Sequence, residues 1–248
     1  MNTRTHTRRT DAVLRLTVTA MFCALAYAAV FVFHISGIGG FLTFDVKDAI
    51  LTTGALLLGP LPGLIGALIV SLLEMVSVSG TGPWGALMNF VSSASFVCIA
   101  SLIYRSAPKI RRTLTGAWCG LLGSVIGTAA VMMGMNLIVT PIYTGMSTAA
   151  VAGLILPLLL PFNLIKAALN AALVMILYKP LSLILRRSGI LPASETEETQ
   201  PAGEAADARR FGKKTPVVLI VSLAVTAGCA VLLLVVFGGE FHWFRPQS

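Results

Sequence analysis

Five ionisable side chains interrupt otherwise apolar runs of this chain: Asp45, Lys47, Asp48, Glu74 and Lys166. A charge at mid-bilayer depth costs roughly 2.5–3.5 kcal/mol on insertion scales, so each needs a partner, a wet cavity or a task. Asp45, Lys47 and Asp48 open one apolar run. There they can be interfacial, or Lys47 can pair with one of the aspartates or snorkel. Glu74 sits near the end of the next run, where structural pairing or rim solvation accounts for it. Lys166 stands one to two turns into its run, and Asn163, Lys166 and Asn170 share a helical face because they are three and four apart. Asn136 and Thr140, also four apart, form a second polar stripe, and Asn89 is a third contributor. Interhelical hydrogen bonding explains any one of these asparagines. Their convergence near the same ends of several runs is better explained by a binding site.

The chemistry such a site offers is recognition. An asparagine presents a donor and an acceptor side by side, which matches a ring edge alternating C=O and N–H. Lys166 adds a charge-assisted hydrogen bond. Tyr143 and Trp84 can stack or cover, or can serve as interface anchors. A mostly apolar pocket with a few fixed polar groups suits a flat heterocycle. Catalysis has no comparable support. The sequence contains no H-E-x-x-H, no G-x-S-x-G and no Gly-rich phosphate loop, and His6, His34 and His242 are scattered. Cys23, Cys98, Cys119 and Cys229 lie in apolar stretches without a C-x-x-C pair, so they read as small buried hydrophobes. Neither an enzyme nor a metal site is expected, and any ATP drive must come from a partner.

These residues must be positioned by membrane helices. The chain is 56% hydrophobic and 11% charged, against about 25% charged in soluble domains. Apolar runs near 20 residues can each cross a hydrocarbon core of roughly 30 Å. The fold class expected is an all-α membrane protein, a six-helix bundle plus one extra C-terminal transmembrane helix. The spans expected are 11–34, 44–58, 64–78, 84–104, 114–139 and a sixth beginning near Pro157 or Pro161 and ending at Leu185. The first is too long for a signal-peptide core and reads as a retained span. Ser36–Gly40 reads as a helix-breaking loop, Gly59–Gly63 as a tight turn, and Thr140–Gly145 as the way into a loop. The net charge of +8 sits in basic clusters between the runs, at Arg4, Arg8, Arg9 and Arg15, at Arg105, Lys109, Arg111 and Arg112, and at Arg186 and Arg187. That is the positive-inside pattern, with a cytoplasmic N-terminus, rather than a nucleic-acid surface. The domains expected are 1–187, a six-span substrate-binding membrane domain; 188–215, an acidic cytoplasmic linker; 216–238, a further span; and 239–248, a short external tail.

Four segments carry a family resemblance: Phe41-Leu42-Thr43-Phe44-Asp45, Leu58-Gly59-Pro60-Leu61-Pro62-Gly63, the run from Asn136 through Thr140-Pro141 to Tyr143, and Leu160-Pro161-Phe162-Asn163-Leu164-Ile165-Lys166. Over about Val13 to Arg187 the chain resembles the riboflavin-specific S-component, the substrate-binding membrane subunit, of energy-coupling factor (ECF) vitamin transporters. The resemblance implies a bacterial cell-membrane protein that binds riboflavin from outside as transported ligand. It also implies docking onto a transmembrane coupling subunit and two ATPase subunits. It assigns flavin contacts to Asn136, Asn163 and Lys166; Thr140, Tyr143 and Asn89 join the expected substrate site on their own positions in the polar stripes and at the ends of the runs. It assigns the docking surface to Ala20, Ala24 and Ala28, an A-x-x-x-A repeat that equally suits packing within the bundle. Where the family often has Asp-Ile-Pro, this chain has Asp48-Ala49-Ile50. Another vitamin or heterocycle, or a scaffold whose polar residues only join helices, are the alternatives.

Overall fold

The computed structural model describes residues 3–33, 35–38, 42–78, 80–106 and 114–187, with a few positions between 220 and 241. The linker 188–215 lies outside the described residues, as does nearly all of the expected seventh span. In order the elements are α1 (Thr3–Val32), β1 (Ile35–Ile38), β2 (Leu42–Phe44), α2 (Lys47–Leu58), α3 (Pro60–Ser77), α4 (Gly82–Ser106), α5 (Leu114–Thr144), α6 (Thr148–Gly153), a π turn (Ile155–Leu159), α7 (Leu160–Arg187) and β3 (Glu240–Phe241). Five stretches among the described residues are long and apolar enough to cross a membrane: 12–32, 60–77, 82–106, 115–144 and 155–178.

The second expected span departs from this set. Helix α2 has 12 residues, so it is about 18 Å long, well short of a roughly 30 Å core. Nearly every one of its side chains is buried, including Lys47 and Asp48. Hydropathy cannot separate a helix wrapped in protein from one bathed in lipid, which is why the run reads as a span. The loop expected at Ser36–Gly40 also contains a strand. Strands β1 and β2 form an antiparallel hairpin, and β3 pairs with the other edge of β1, giving the order β2-β1-β3. The protein is therefore mostly helical rather than all-α.

Three boundaries shift for local reasons. The tight turn expected at Gly59–Gly63 shrinks to Gly59, at φ 124°, and Pro60 already opens α3. Prolines are tolerated in a first turn because the N–H groups there lack helical partners. Pro141 does not end α5; the helix runs through it to Thr144, and Gly145 at φ 73° ends it. The last long helix begins at Leu160 after the π turn, where Leu159 N–H donates to Leu154 O five residues back.

Helices α4 and α5 approach closely along a seam of small residues. A Cβ on Gly120 would lie 2.6 Å from the Ala100 carbonyl oxygen, and Cβ atoms on Gly123 and Gly127 would lie 2.6 Å from Ile103 and Ile99. At the end of the bundle away from the hairpin, Arg105 donates to Leu57 O at the C-terminus of α2 (3.1 Å), and Tyr104 meets Tyr178 hydroxyl to hydroxyl (2.8 Å). From there to the hairpin end a buried core joins Ala49, Leu56, Phe96, Ala100 and Val174 from α2, α4 and α7.

Candidate functional site

The π turn and the proline-containing first turn of α7 aim one polar face into the bundle. Asn163, Lys166 and Asn170 are all buried, at 5%, 7% and 1% exposure. Asn163 Nδ2 donates back to Leu159 O (2.8 Å), one turn earlier. Lys166 Nζ reaches 3.0 Å from Asp45 Oδ2 and 3.4 Å from Thr43 O, so it engages the end of the hairpin. Asn170 lies one turn further along and also meets this junction. Its Oδ1 accepts from Ala49 N–H (2.9 Å), and its Nδ2 donates to Asp45 O (3.2 Å) and Lys166 O (3.1 Å).

Asp45, Lys47, Asp48 and Glu74 join the same cluster. Each is buried at 3% exposure or less, which overturns the interfacial reading of the first three and rim solvation of Glu74. Lys47 lies 3.6 Å from Asp45 Oδ2 and 2.5 Å from Glu74 Oε2. Asn89 Nδ2 also donates to Glu74 Oε2 (3.0 Å), and Ser93 Oγ donates to Asp48 Oδ1 (2.5 Å). An unbroken polar line therefore runs Lys166–Asp45–Lys47–Glu74–Asn89 through α7, the hairpin exit, α2, α3 and α4. Buried ions persist when paired and hydrogen-bonded, and these alternate in sign along the line.

The second stripe sits on α5. Asn136 and Thr140 are wholly buried. Asn136 Nδ2 donates to Met132 O (2.7 Å), Thr140 Oγ1 donates to Asn136 Oδ1 (2.9 Å), and Thr144 Oγ1 donates to Thr140 O (2.7 Å). These bonds all lie within one helix. Between the stripes stands an apolar wall. Leu42 and Phe44 of β2, Val151, Leu159 and Phe162 pack with Met133 and Leu137 of α5. Met88, Met132 and Val139 pack with Met135 and Tyr143 beside it. Methionines adapt to irregular and flat surfaces, and sulfur contacts aromatic edges favourably. Trp84 is 41% exposed in the first turn of α4. The arrangement suits recognition rather than reaction: donors and acceptors are fixed at one end of the bundle against an apolar, sulfur-rich wall. Among the described residues no group of His, Cys, Asp and Glu is placed to hold a metal.

A family model described as ECF transporter, substrate-specific component, matches residues 14–178, the whole of the bundle from α1 into α7. The chain belongs to this family. It is 28% identical over 180 residues to the riboflavin transporter RibU of Staphylococcus aureus (strain TCH60), covering 70% of this chain and 93% of that relative. It is 26% identical over 174 residues to the riboflavin transporter FmnP of Bacillus subtilis (strain 168), covering 62% of this chain and 84% of that relative. A solved structure reported as the S component of a bacterial ECF transporter superposes with a TM-score of 0.58 at 30% identity, covering 69% of this chain and 96% of that one. The family is a substrate-binding transporter component, which is not an enzyme.

In this S component the structure brings Asn163 and Lys166 to the hairpin end, with Asn136, Thr140 and Tyr143 across the apolar wall. Asn89 stands in the ion cluster instead. Among the described residues, Ala20, Ala24 and Ala28 are exposed along one face of α1. Sequence reasoning missed two sets of partners. The pairing of Asp45 with Lys166 spans 121 positions, and no local pattern signals it. Asn170 belonged visibly to the polar face of α7, but its partners lie on α2 and the hairpin exit.

Proposed function

We propose that this chain is the substrate-binding subunit of an ECF-type vitamin uptake transporter whose ligand is riboflavin. What carries the reading is the pairing of family membership with a candidate site: Asn163 and Lys166 buried at the hairpin end, on the helix whose Phe162 packs with Phe44, Met133 and Leu137, with Tyr143 in the adjoining methionine cluster. Both named relatives are riboflavin transporters. The flat isoalloxazine ring suits that wall, and its alternating C=O and N–H edge suits Asn136 and Asn163. Thr140 orients the Asn136 amide, and Asn89 supports the site through Glu74.

The distribution of Arg and Lys supports a cytoplasmic N-terminus and an external hairpin end, so the ligand enters from outside. The exposed Ala20, Ala24 and Ala28 stripe on α1 suits close approach by the coupling subunit, which works with two ATPases. The domain reading follows the same scheme: a substrate-binding unit over 1–187, a cytoplasmic linker over 188–215, an additional span over 216–238 and an external tail.

The test is flavin fluorescence quenching on the detergent-purified chain. Saturable quenching at micromolar riboflavin or below is expected. Asn163→Ala should weaken it by about 1–2 kcal/mol, or roughly five- to thirtyfold. Asn163 is the cleaner probe, because removing Lys166 also strips Asp45 of a partner. Absence of quenching at micromolar concentration sinks riboflavin. A different molecule recovered by mass spectrometry from the purified native protein would then name another heterocycle. Unaltered uptake by Asn163→Ala would favour a scaffold.

A further inference from the structure

Helix α2 begins without a cap of its own. Val46 precedes it, and the Val46 side chain makes no capping hydrogen bond. A helix start leaves its first N–H groups without helical partners, and inside a protein that is costly. Ala49 N–H bonds weakly back to Val46 O (3.2 Å) and more closely to Asn170 Oδ1 (2.9 Å), a residue of another helix. Asn170 thus does for α2 what an N-cap residue does, but from α7. Its amide protons are committed as well, to the carbonyls of Asp45 and Lys166. Residue 45 is consequently held twice from α7: its carbonyl by Asn170 and its carboxylate by Lys166, one turn apart.

We infer that Asn170 is a positioning residue for the ligand site. It fixes the exit of the hairpin so that the Asp45 carboxylate meets Lys166 and sets the direction of the remaining ammonium hydrogen. Both its donors are occupied, so it acts through Lys166 and does not touch the ligand. Asp45 cannot hold this place alone, since its Oδ2 is shared between Lys166 at 3.0 Å and Lys47 at 3.6 Å. With Asn170 absent, the hairpin exit is free to follow Lys47 toward Glu74, and Lys166 loses its orientation.

This inference rests on the riboflavin reading for its affinity readout, so the experiment has a ligand-free arm. Riboflavin affinity is measured on the full chain for wild type, Asn170→Ala, Lys166→Met and the double variant. Asn170→Ala is expected to weaken binding about tenfold, within the range of coupling between contacting residues. In the Lys166→Met background it should add less than about threefold, because the residue it positions is gone. Wild-type affinity in Asn170→Ala overturns the inference, and so does an undiminished loss in the double variant, which would mark a merely structural residue. The second arm measures amide hydrogen exchange over residues 45–50 without ligand. Faster exchange at Ala49 in Asn170→Ala is expected, and unchanged exchange overturns the clamp. If wild type binds no riboflavin, the functional reading falls and this second arm alone decides the clamp.

Discussion

Lys47 is the perturbation whose consequence can be worked furthest. It is 1% exposed and lies 2.5 Å from Glu74 and 3.6 Å from Asp45. At an effective dielectric near 20, those separations correspond to gross attractions of roughly 7 and 5 kcal/mol. Desolvation of the ammonium offsets most of that, and removal of one partner from a buried pair nets about 3–5 kcal/mol. Lys47→Met keeps the apolar stem but leaves Asp45, Asp48 and Glu74 with Lys166 as the remaining amine of the cluster. For a chain of this size, about 3–5 kcal/mol corresponds to a fall of roughly 6–20 °C in Tm. The assay is thermal unfolding followed by tryptophan fluorescence on the detergent-purified, ligand-free protein. The diagnostic comparison is Lys47→Met/Glu74→Gln. It removes the stranded carboxylate yet keeps an acceptor for Asn89, so it should be more stable than Lys47→Met alone by at least about 1 kcal/mol. A Tm shift below about 2 °C for Lys47→Met, or a double variant less stable than the single, would refute the claim that uncompensated charge is the cost.

Three further outcomes can be checked with the same material. Gly120→Val should lower stability by about 1–3 kcal/mol, because the atom it would strike is the Ala100 carbonyl oxygen and backbone cannot swing aside; Tm and size-exclusion profile read this directly. Tyr104→Phe removes one hydroxyl from the Tyr104–Tyr178 contact and should cost about 0.5–1.5 kcal/mol, seen as a Tm fall with flavin binding unaffected. Ala24→Trp places bulk on the exposed face of α1; riboflavin binding by the isolated chain should persist while co-purification with the coupling subunit is lost, and retained co-purification would move the docking surface elsewhere.

The long apolar helices and the polar face of α7 were legible in the sequence, because both depend on spacing along one helix. Asn163, Lys166 and Asn170 fall on one face whatever surrounds them. The misreadings share a different cause. The run 44–58 reads as an ordinary lipid-facing span, whereas α2 is a 12-residue helix wrapped in protein, because burial in protein and burial in lipid demand the same residues. Pro141 reads as a stop, yet the helix end is decided one turn later by Gly145, whose φ of 73° a side chain would resist. The hairpin was hidden because strands of four and three residues are too short to show alternation. The ion line was hidden because each partner comes from a different element. What looked like separate anomalies near the ends of runs, Asp45, Glu74 and Lys166, is a single cluster once the helices are packed.

The third strand of the small sheet bears on how the protein should be handled. Phe241 and Glu240 pair with Ile35 and Ser36, beside the hairpin that leads to Asp45. A label or fusion inserted beside Phe241 would stand next to that sheet and to the proposed entrance for flavin. The 30 residues of α1 carry its start about 45 Å away at the far end of the bundle. A purification handle belongs on the side where α1 starts, because one placed beside β3 would alter the entrance it is meant to report.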